Sequence, residues 1–171
     1  MTRIGWWMLL AVLLVPAQAH AATATATIEP TTEGSDVFGW ATFEDTDKGL
    51  KIEVEVFGVS PGLHGIHVHE KGDCGDAGNA AGGHYNPDGV KHGFVTNDGF
   101  TGAHPGDLGN IEVGPDGDGF LELAVPNLTV TGGKYNVSGL AVVLHEKQDD
   151  FGQPTGNAGG RIGCGLITAE A

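Results

Sequence analysis

Apolar and polar side chains alternate in short runs that glycine and proline cut off, and this pattern excludes most folds at once. Val37-Phe38-Gly39-Trp40-Ala41-Thr42-Phe43-Glu44 alternates, and so does Leu50-Lys51-Ile52-Glu53-Val54-Glu55-Val56. In the second run Leu50, Ile52, Val54 and Val56 share one face, with Lys51, Glu53 and Glu55 on the other, because strand side chains repeat every two residues. Ser60-Pro61-Gly62 turns the chain into a further strand over residues 63–70, and Pro115-Asp116-Gly117-Asp118-Gly119 precedes another over 120–125. Residues 140–145 and 162–168 are two late apolar strands. No helical period of useful length appears. The 30 glycines and 8 prolines are therefore turn residues, since the runs between them have a face to bury. The expectation is an all-β fold, an eight-stranded antiparallel Greek-key sandwich or flattened barrel. Residues 71–108 and 146–160 do not fit as strands, and loops of that length in a compact domain usually carry function.

The N-terminus has the marks of a secretory signal. Arg3 precedes an apolar run over residues 4–15, followed by Pro16 and Ala17-Gln18-Ala19-His20-Ala21. The apolar run is too short for a membrane span, and the Ala-x-Ala pattern is a cleavage site. Residues 1–21 are read as the signal, with cleavage after Ala19 as the next choice, and 22–171 as one domain, long enough for a sizeable core. Trp6, Trp7 and His20 leave with the signal, so Trp40 is the sole tryptophan of the mature chain.

Loss of Arg3 leaves seven basic side chains against 22 acidic ones. A balance that acidic argues against nucleic acid and against an anionic membrane as partner. Cys74 and Cys164 in an exported chain read as one disulfide, with two free thiols as the alternative. The loop it closes would restrict the unfolded chain by roughly 4–5 kcal/mol.

Seven histidines fall between residues 64 and 145. Imidazole is the ligand that copper and zinc share, so this run points to metal. Strand parity puts His67 and His69 on one face, with Ile66 and Val68 on the core face. His64 has the opposite parity and is expected to be a hydrogen-bonded structural histidine.

Five motifs in a fixed order carry a resemblance: Gly-Leu-His-Gly-Ile-His-Val-His-Glu from Gly62, Ala-Gly-Gly-His-Tyr-Asn-Pro from Ala81, Gly-Asp-Leu-Gly-Asn from Gly106, Val-Val-Leu-His-Glu-Lys-Gln-Asp-Asp from Val142, and Gly-Asn-Ala-Gly-Gly-Arg from Gly156. Together they resemble the copper–zinc superoxide dismutase family over nearly the whole mature chain. The resemblance implies one copper on His67, His69, His84 and His145, and one zinc on His84, His92, His104 and Asp107, with His84 bridging as imidazolate. Four nitrogens suit Cu(II), and three nitrogens plus a carboxylate suit a closed zinc site. Two adjacent cations favour the deprotonated bridge. The resemblance further implies that Asp149 links a copper-side imidazole to a zinc-side one, that Cys74 pairs with Cys164, and that Arg161 draws the superoxide anion. Asp150 is expected to be merely solvated. Catalysis would rest on Arg161 and His84, with electrons passing through alternating Cu(II) and Cu(I). Export to the periplasm or the cell exterior is expected, with no membrane contact after signal cleavage. The resemblance leaves a homodimer open.

The chain also departs from the pattern. Residues 146–160 lack the charged insert of the eukaryotic loop, so Lys71, Lys91 and Lys134 are the remaining candidates for long-range guidance. Phe94 stands where glycine or proline is common, and Cys74 directly follows Gly72-Asp73, as in bacterial periplasmic members. Two other classes compete. A copper-buffering protein would need the same ligands without Arg161, and a zinc hydrolase would need an open zinc position, which Asp107 would close.

Overall fold

A computed structural model describes residues 21–170. The expected signal over 1–21, with Trp6, Trp7 and His20, lies outside the described residues apart from Ala21.

The strands are β1 (Thr23–Pro30), β2 (Phe38–Thr46), β3 (Gly49–Phe57), β4 (Gly62–His69), β5 (Asp107–Val113), β6 (Gly119–Val125), β7 (Ala141–His145), β8 (Arg161–Leu166) and the two-residue β9 (Thr168–Ala169). Their order in the sheet is β2-β3-β6-β5-β4-β7-β8-β1-β9, and β1 pairs with β2 to close the barrel. Every ladder between these strands is antiparallel. The result is the expected eight-stranded closed barrel with one short extra strand. Among the described residues, no helix is long and apolar enough to cross a membrane.

Period two builds the core as the sequence predicts. Leu50, Ile52, Val54 and Val56 are buried on β3, facing Ala41 and Phe43 of β2 and Ala24, Ala26 and Ile28 of β1. Each large aliphatic side chain contributes about 1.5–3 kcal/mol on leaving water. The run Thr-Ala-Thr-Ala-Thr-Ile makes most of β1, and its alternation of alanine with threonine has too little contrast in hydropathy to declare a face. β5 opens at Asp107, inside the segment read as loop. One short helix, α1 (Val95–Gly102), breaks at Gly99 (φ 62°) and is too brief to show a helical period.

β7 is buried along its whole length. Val142 and Leu144 face the barrel core, while Ala141 and Val143 pack with Ala81 and Cys164 in a second small cluster beneath the 71–106 loop. The Cys74–Cys164 disulfide joins that loop to β8. The loop also pairs back onto β4: Tyr85 N donates to Val68 O at 2.8 Å, and Glu70 N to Gly83 O at 2.9 Å. Backbone hydrogen bonds thus bring residues 83–85 beside the histidines of β4.

Candidate metal centre

Six segments converge at one end of β4. The strand supplies His67 and His69, the 71–106 loop supplies His84, His92 and His104, and Asp107 opens β5. His145 ends β7, Asp149 stands in the following loop, and Arg161 opens β8. All eight of these histidines and aspartates are buried. His67, His69, His84 and His145 each offer one ligand atom, all within 4.8 Å of one another. His84, His92, His104 and Asp107 do the same, so His84 belongs to both groups.

Hydrogen bonding decides which nitrogen of each ring is free. Asp149 accepts from Nε2 of His67 at 2.8 Å and from Nε2 of His92 at 2.9 Å. An ionised carboxylate only accepts, so both rings carry a proton on Nε2, and a neutral ring then has its lone pair on Nδ1. Nδ1 of His67 is buried with no hydrogen-bond partner. His69 donates Nδ1–H to the Gly82 carbonyl at 3.0 Å, which leaves Nε2 as a lone pair, 3.3 Å from Nε2 of His145. The Nδ1 of His67 is thus a buried lone pair with no donor to meet it, a cost that a cation in this group would remove.

The second group shows the same demand. Nδ1 of His84 lies 2.8 Å from Asp107 Oδ1, and Nδ1 of His104 lies 3.0 Å from the same oxygen. Nδ1 of His92 approaches Asp107 Oδ2 to 2.9 Å without the alignment of a hydrogen bond. Three nitrogens crowding one buried carboxylate are the donor set of a tetrahedral zinc site. The residues present fit a copper ion in the first group and a zinc ion in the second.

The electrostatics agree. Burial pushes His67 down to about 4, against the hydrogen bond to Asp149, and pushes His69 to about 3 and His145 to about 2. Burial also lowers His84. These imidazoles are neutral at physiological pH, as metal ligands must be. Burial opposes charge on His92 as well, but its contacts with Asp107 and Asp149 outweigh that and raise it to about 9. For Asp107 burial is outweighed by contacts with His104, His84 and His92, and for Asp149 by those with His67 and His92. Both carboxyls stay well below the usual range.

Arg161 donates Nη1 to Gly78 O at 2.5 Å and Nη2 to Gly82 O at 2.6 Å. The Gly82 carbonyl therefore receives both Arg161 and His69. A cavity of about 180 Å³ is lined by His69, His84, His145 and Arg161, with Asn157 and Gly159 on its rim. Lys71, Lys91 and Lys134 do not line it, and Lys134 is ion-paired with Asp88.

His64 stays out of both groups. It is buried with Nδ1 2.9 Å from the His145 carbonyl and Nε2 2.8 Å from the Ser60 carbonyl, so it holds the backbone of a neighbouring histidine. Asp150 differs from its expectation. It is exposed, yet it accepts from Gly152 N at 2.8 Å and from Asn157 Nδ2 at 3.0 Å, which ties together the turn that follows Asp149.

Sequence reasoning missed three parts of the site. Gln153 clamps the backbone of His92, accepting from its N–H at 3.1 Å and donating to its carbonyl at 2.8 Å. Phe151 lies nearly parallel to the His92 ring, with centroids 6.5 Å apart, and packs on Phe94 at 5.8 Å. Gly156 (φ 77°) is required twice over, because a Cβ there would strike the Asp149 carboxylate and come within 2.7 Å of His92 Nε2. No local signal marks the clamp, since 61 residues separate its two members.

The copper/zinc superoxide dismutase family matches this chain over residues 37–167. An extracellular copper–zinc superoxide dismutase of Caenorhabditis elegans is 38% identical over 161 residues, covering 90% of this chain and 69% of that relative. One from Drosophila melanogaster is 39% identical over 145 residues, covering 79% and 77%. A copper–zinc superoxide dismutase of Onchocerca volvulus is 37% identical over 150 residues, covering 81% and 92%. Among solved structures, the crystal structure of the clock protein EA4 superposes with a TM-score of 0.77 at 34% identity, covering 91% of this chain and 99% of the other.

Proposed function

The chain belongs to the copper/zinc superoxide dismutase family, and from that premise we propose how its own residues divide the work of an exported enzyme that consumes superoxide with one copper and one zinc. His67, His69, His84 and His145 hold copper, and His84, His92, His104 and Asp107 hold zinc. The chemistry copper supplies when bound is one-electron exchange between Cu(II) and Cu(I), by which one superoxide leaves as dioxygen and a second, with two protons, as hydrogen peroxide.

The protein's side chains do the rest. Arg161 carries a fixed positive charge into the 180 Å³ cavity, where the acidic surface would otherwise repel an anion. Its two hydrogen bonds to Gly78 and Gly82 hold the guanidinium still, so orientation costs little at the moment of binding. His84 has Nδ1 committed to the Asp107 side, which leaves Nε2 to take up one proton and return it to the peroxide product. Asp149 keeps His67 and His92 in the tautomers that present Nδ1 inward.

Export rests on the extracellular relatives and is supported by the Cys74–Cys164 disulfide, a bond that persists in oxidising compartments. Residues 1–21 are the proposed signal, and release to the periplasm or the exterior follows from it. One observation carries the whole reading. Two four-residue ligand groups share a single histidine, and buried lone pairs face into the first of them. The test is a metal count on the purified protein combined with a superoxide-consumption assay. One copper and one zinc per chain with rapid turnover is the expected result. Two zinc ions, or copper without turnover, would overturn it.

A further inference from the structure

On the outer face of the barrel, over β2, β3 and β6, an aromatic cluster stands open to solvent. Trp40 is 43% exposed, Phe38 49% and Phe120 56%. Phe57 joins them, with ring centroids 4.9 Å from Phe38 and 5.0 Å from Trp40. Large apolar side chains gathered on one face mark an interaction surface.

The register places a carboxylate inside this cluster. Trp40 lies across from Glu55, and Glu55 lies across from Phe120, so one row over β2, β3 and β6 reads aromatic, acid, aromatic. The neighbouring acids in the next row are already satisfied, since Lys51 pairs with Glu53 at 3.0 Å and with Glu122 at 3.2 Å. Among the described residues, the Glu55 side chain has neither an ion pair nor a hydrogen bond. Two hollows meet at it. One of about 140 Å³ lies between Trp40 and Phe120 with Thr42, Glu53 and Glu55 beneath, and one of about 280 Å³ lies between Phe57, Asp118 and Phe120.

We propose that this groove binds a basic segment of a partner protein, with an arginine side chain seated between Trp40 and Phe120 and its guanidinium on Glu55. A guanidinium stacks on an aromatic face and pairs with a carboxylate in the same pose, which a neutral or anionic group cannot do. Charge complementarity selects this occupant. A second copy of the chain would bring Glu53, Glu55, Asp118 and Glu122 against their own images, on a protein whose formal charge is −14. The groove lies on β2, β3 and β6, and the metal ligands of the barrel lie on β4, β5 and β7. Binding therefore leaves the cavity beside Arg161 open, and it would tether an active enzyme to a basic surface.

The test is a titration of the metal-loaded protein with octa-arginine, followed by calorimetry and by the fluorescence of Trp40, the only tryptophan among the described residues. The affinity should fall at least tenfold in E55Q and in W40A, and hold in E33Q, which removes an exposed charge from the connection between β1 and β2, outside the row of Trp40, Glu55 and Phe120. Dismutase activity should be the same in all four proteins, which shows that each is folded. Equal loss in E33Q and E55Q would mean diffuse attraction to an acidic protein and overturn the proposal. So would sedimentation showing a dimer that W40A dissociates, because a second copy would then cover the face.

Discussion

Oδ1 of Asp149 lies 2.9 Å from Nε2 of His92, and through this contact the loop after β7 grips the ligand group of His84, His92, His104 and Asp107, the proposed zinc side. The other oxygen of the same carboxylate holds His67 at 2.8 Å, so one side chain orients a ring in each ligand group. Asp149→Ala should weaken zinc binding by about 10–100-fold, the usual effect of removing such a partner. Competition with a chromogenic chelator measures it. Wild-type zinc retention in that variant would show that the carboxylate only fills space.

His145→Ala should abolish dismutation while zinc stays bound, because His145 contributes to one ligand group alone. Elemental analysis beside an activity assay separates the two losses. Near wild-type turnover in this variant would sink the copper assignment.

Arg161→Ala should slow superoxide consumption roughly tenfold or more with copper retained, and should flatten its dependence on ionic strength. Local charge changes association by about 10–10³-fold in general, and superoxide dismutase is itself an established case. Arg161→Lys should restore part of the rate, since the charge returns without the paired donors to Gly78 and Gly82.

Gln153→Ala should release zinc faster by up to about 30-fold, as two hydrogen bonds to the His92 backbone are lost at roughly 1 kcal/mol each. Copper content should be unchanged. Stopped-flow release into a chelator reads the rate, and equal rates would mean that Asp149 and Phe151 hold His92 without the clamp.

The metal-free protein should be most stable near pH 6.5. Burial lowers His67, His69 and His145 to about 4, 3 and 2, so below pH 6.5 the unfolded chain binds protons that the folded chain refuses. Stability therefore falls with pH on that side, and the depressed carboxyls of Asp107 and Asp149 steepen the loss in acid. His92 is raised to about 9, so its contribution is full below pH 6.5 and disappears as pH rises through 9. Thermal unfolding of chelator-stripped protein across pH 4–9 tests the shape. A midpoint that climbs steadily to pH 9 would contradict it.

Much of the molecule is legible in local patterns. The alternation in β2 and β3 declares which faces are buried, and parity on β4 separates His64 from His67 and His69. These are properties of a few consecutive residues, set by the two-residue repeat of an extended backbone. The Thr-Ala alternation of β1 carried too little contrast to be read, and α1 was too short to show its period.

Local pattern and motif order together reached the metal-binding residue types, the barrel, the disulfide partners and the family. Tertiary structure alone decided which nitrogens of His67 and His69 are free, that one carbonyl at Gly82 serves both His69 and Arg161, that Gln153 clamps His92, and that Glu55, between Trp40 and Phe120, is left unpaired among the described residues. The physical reason is distance along the chain. A tautomer is set by the partner of the opposite nitrogen, and for His67 that partner is Asp149, 82 residues away. Local sequence preferences cannot express a contact that exists only after the barrel has closed.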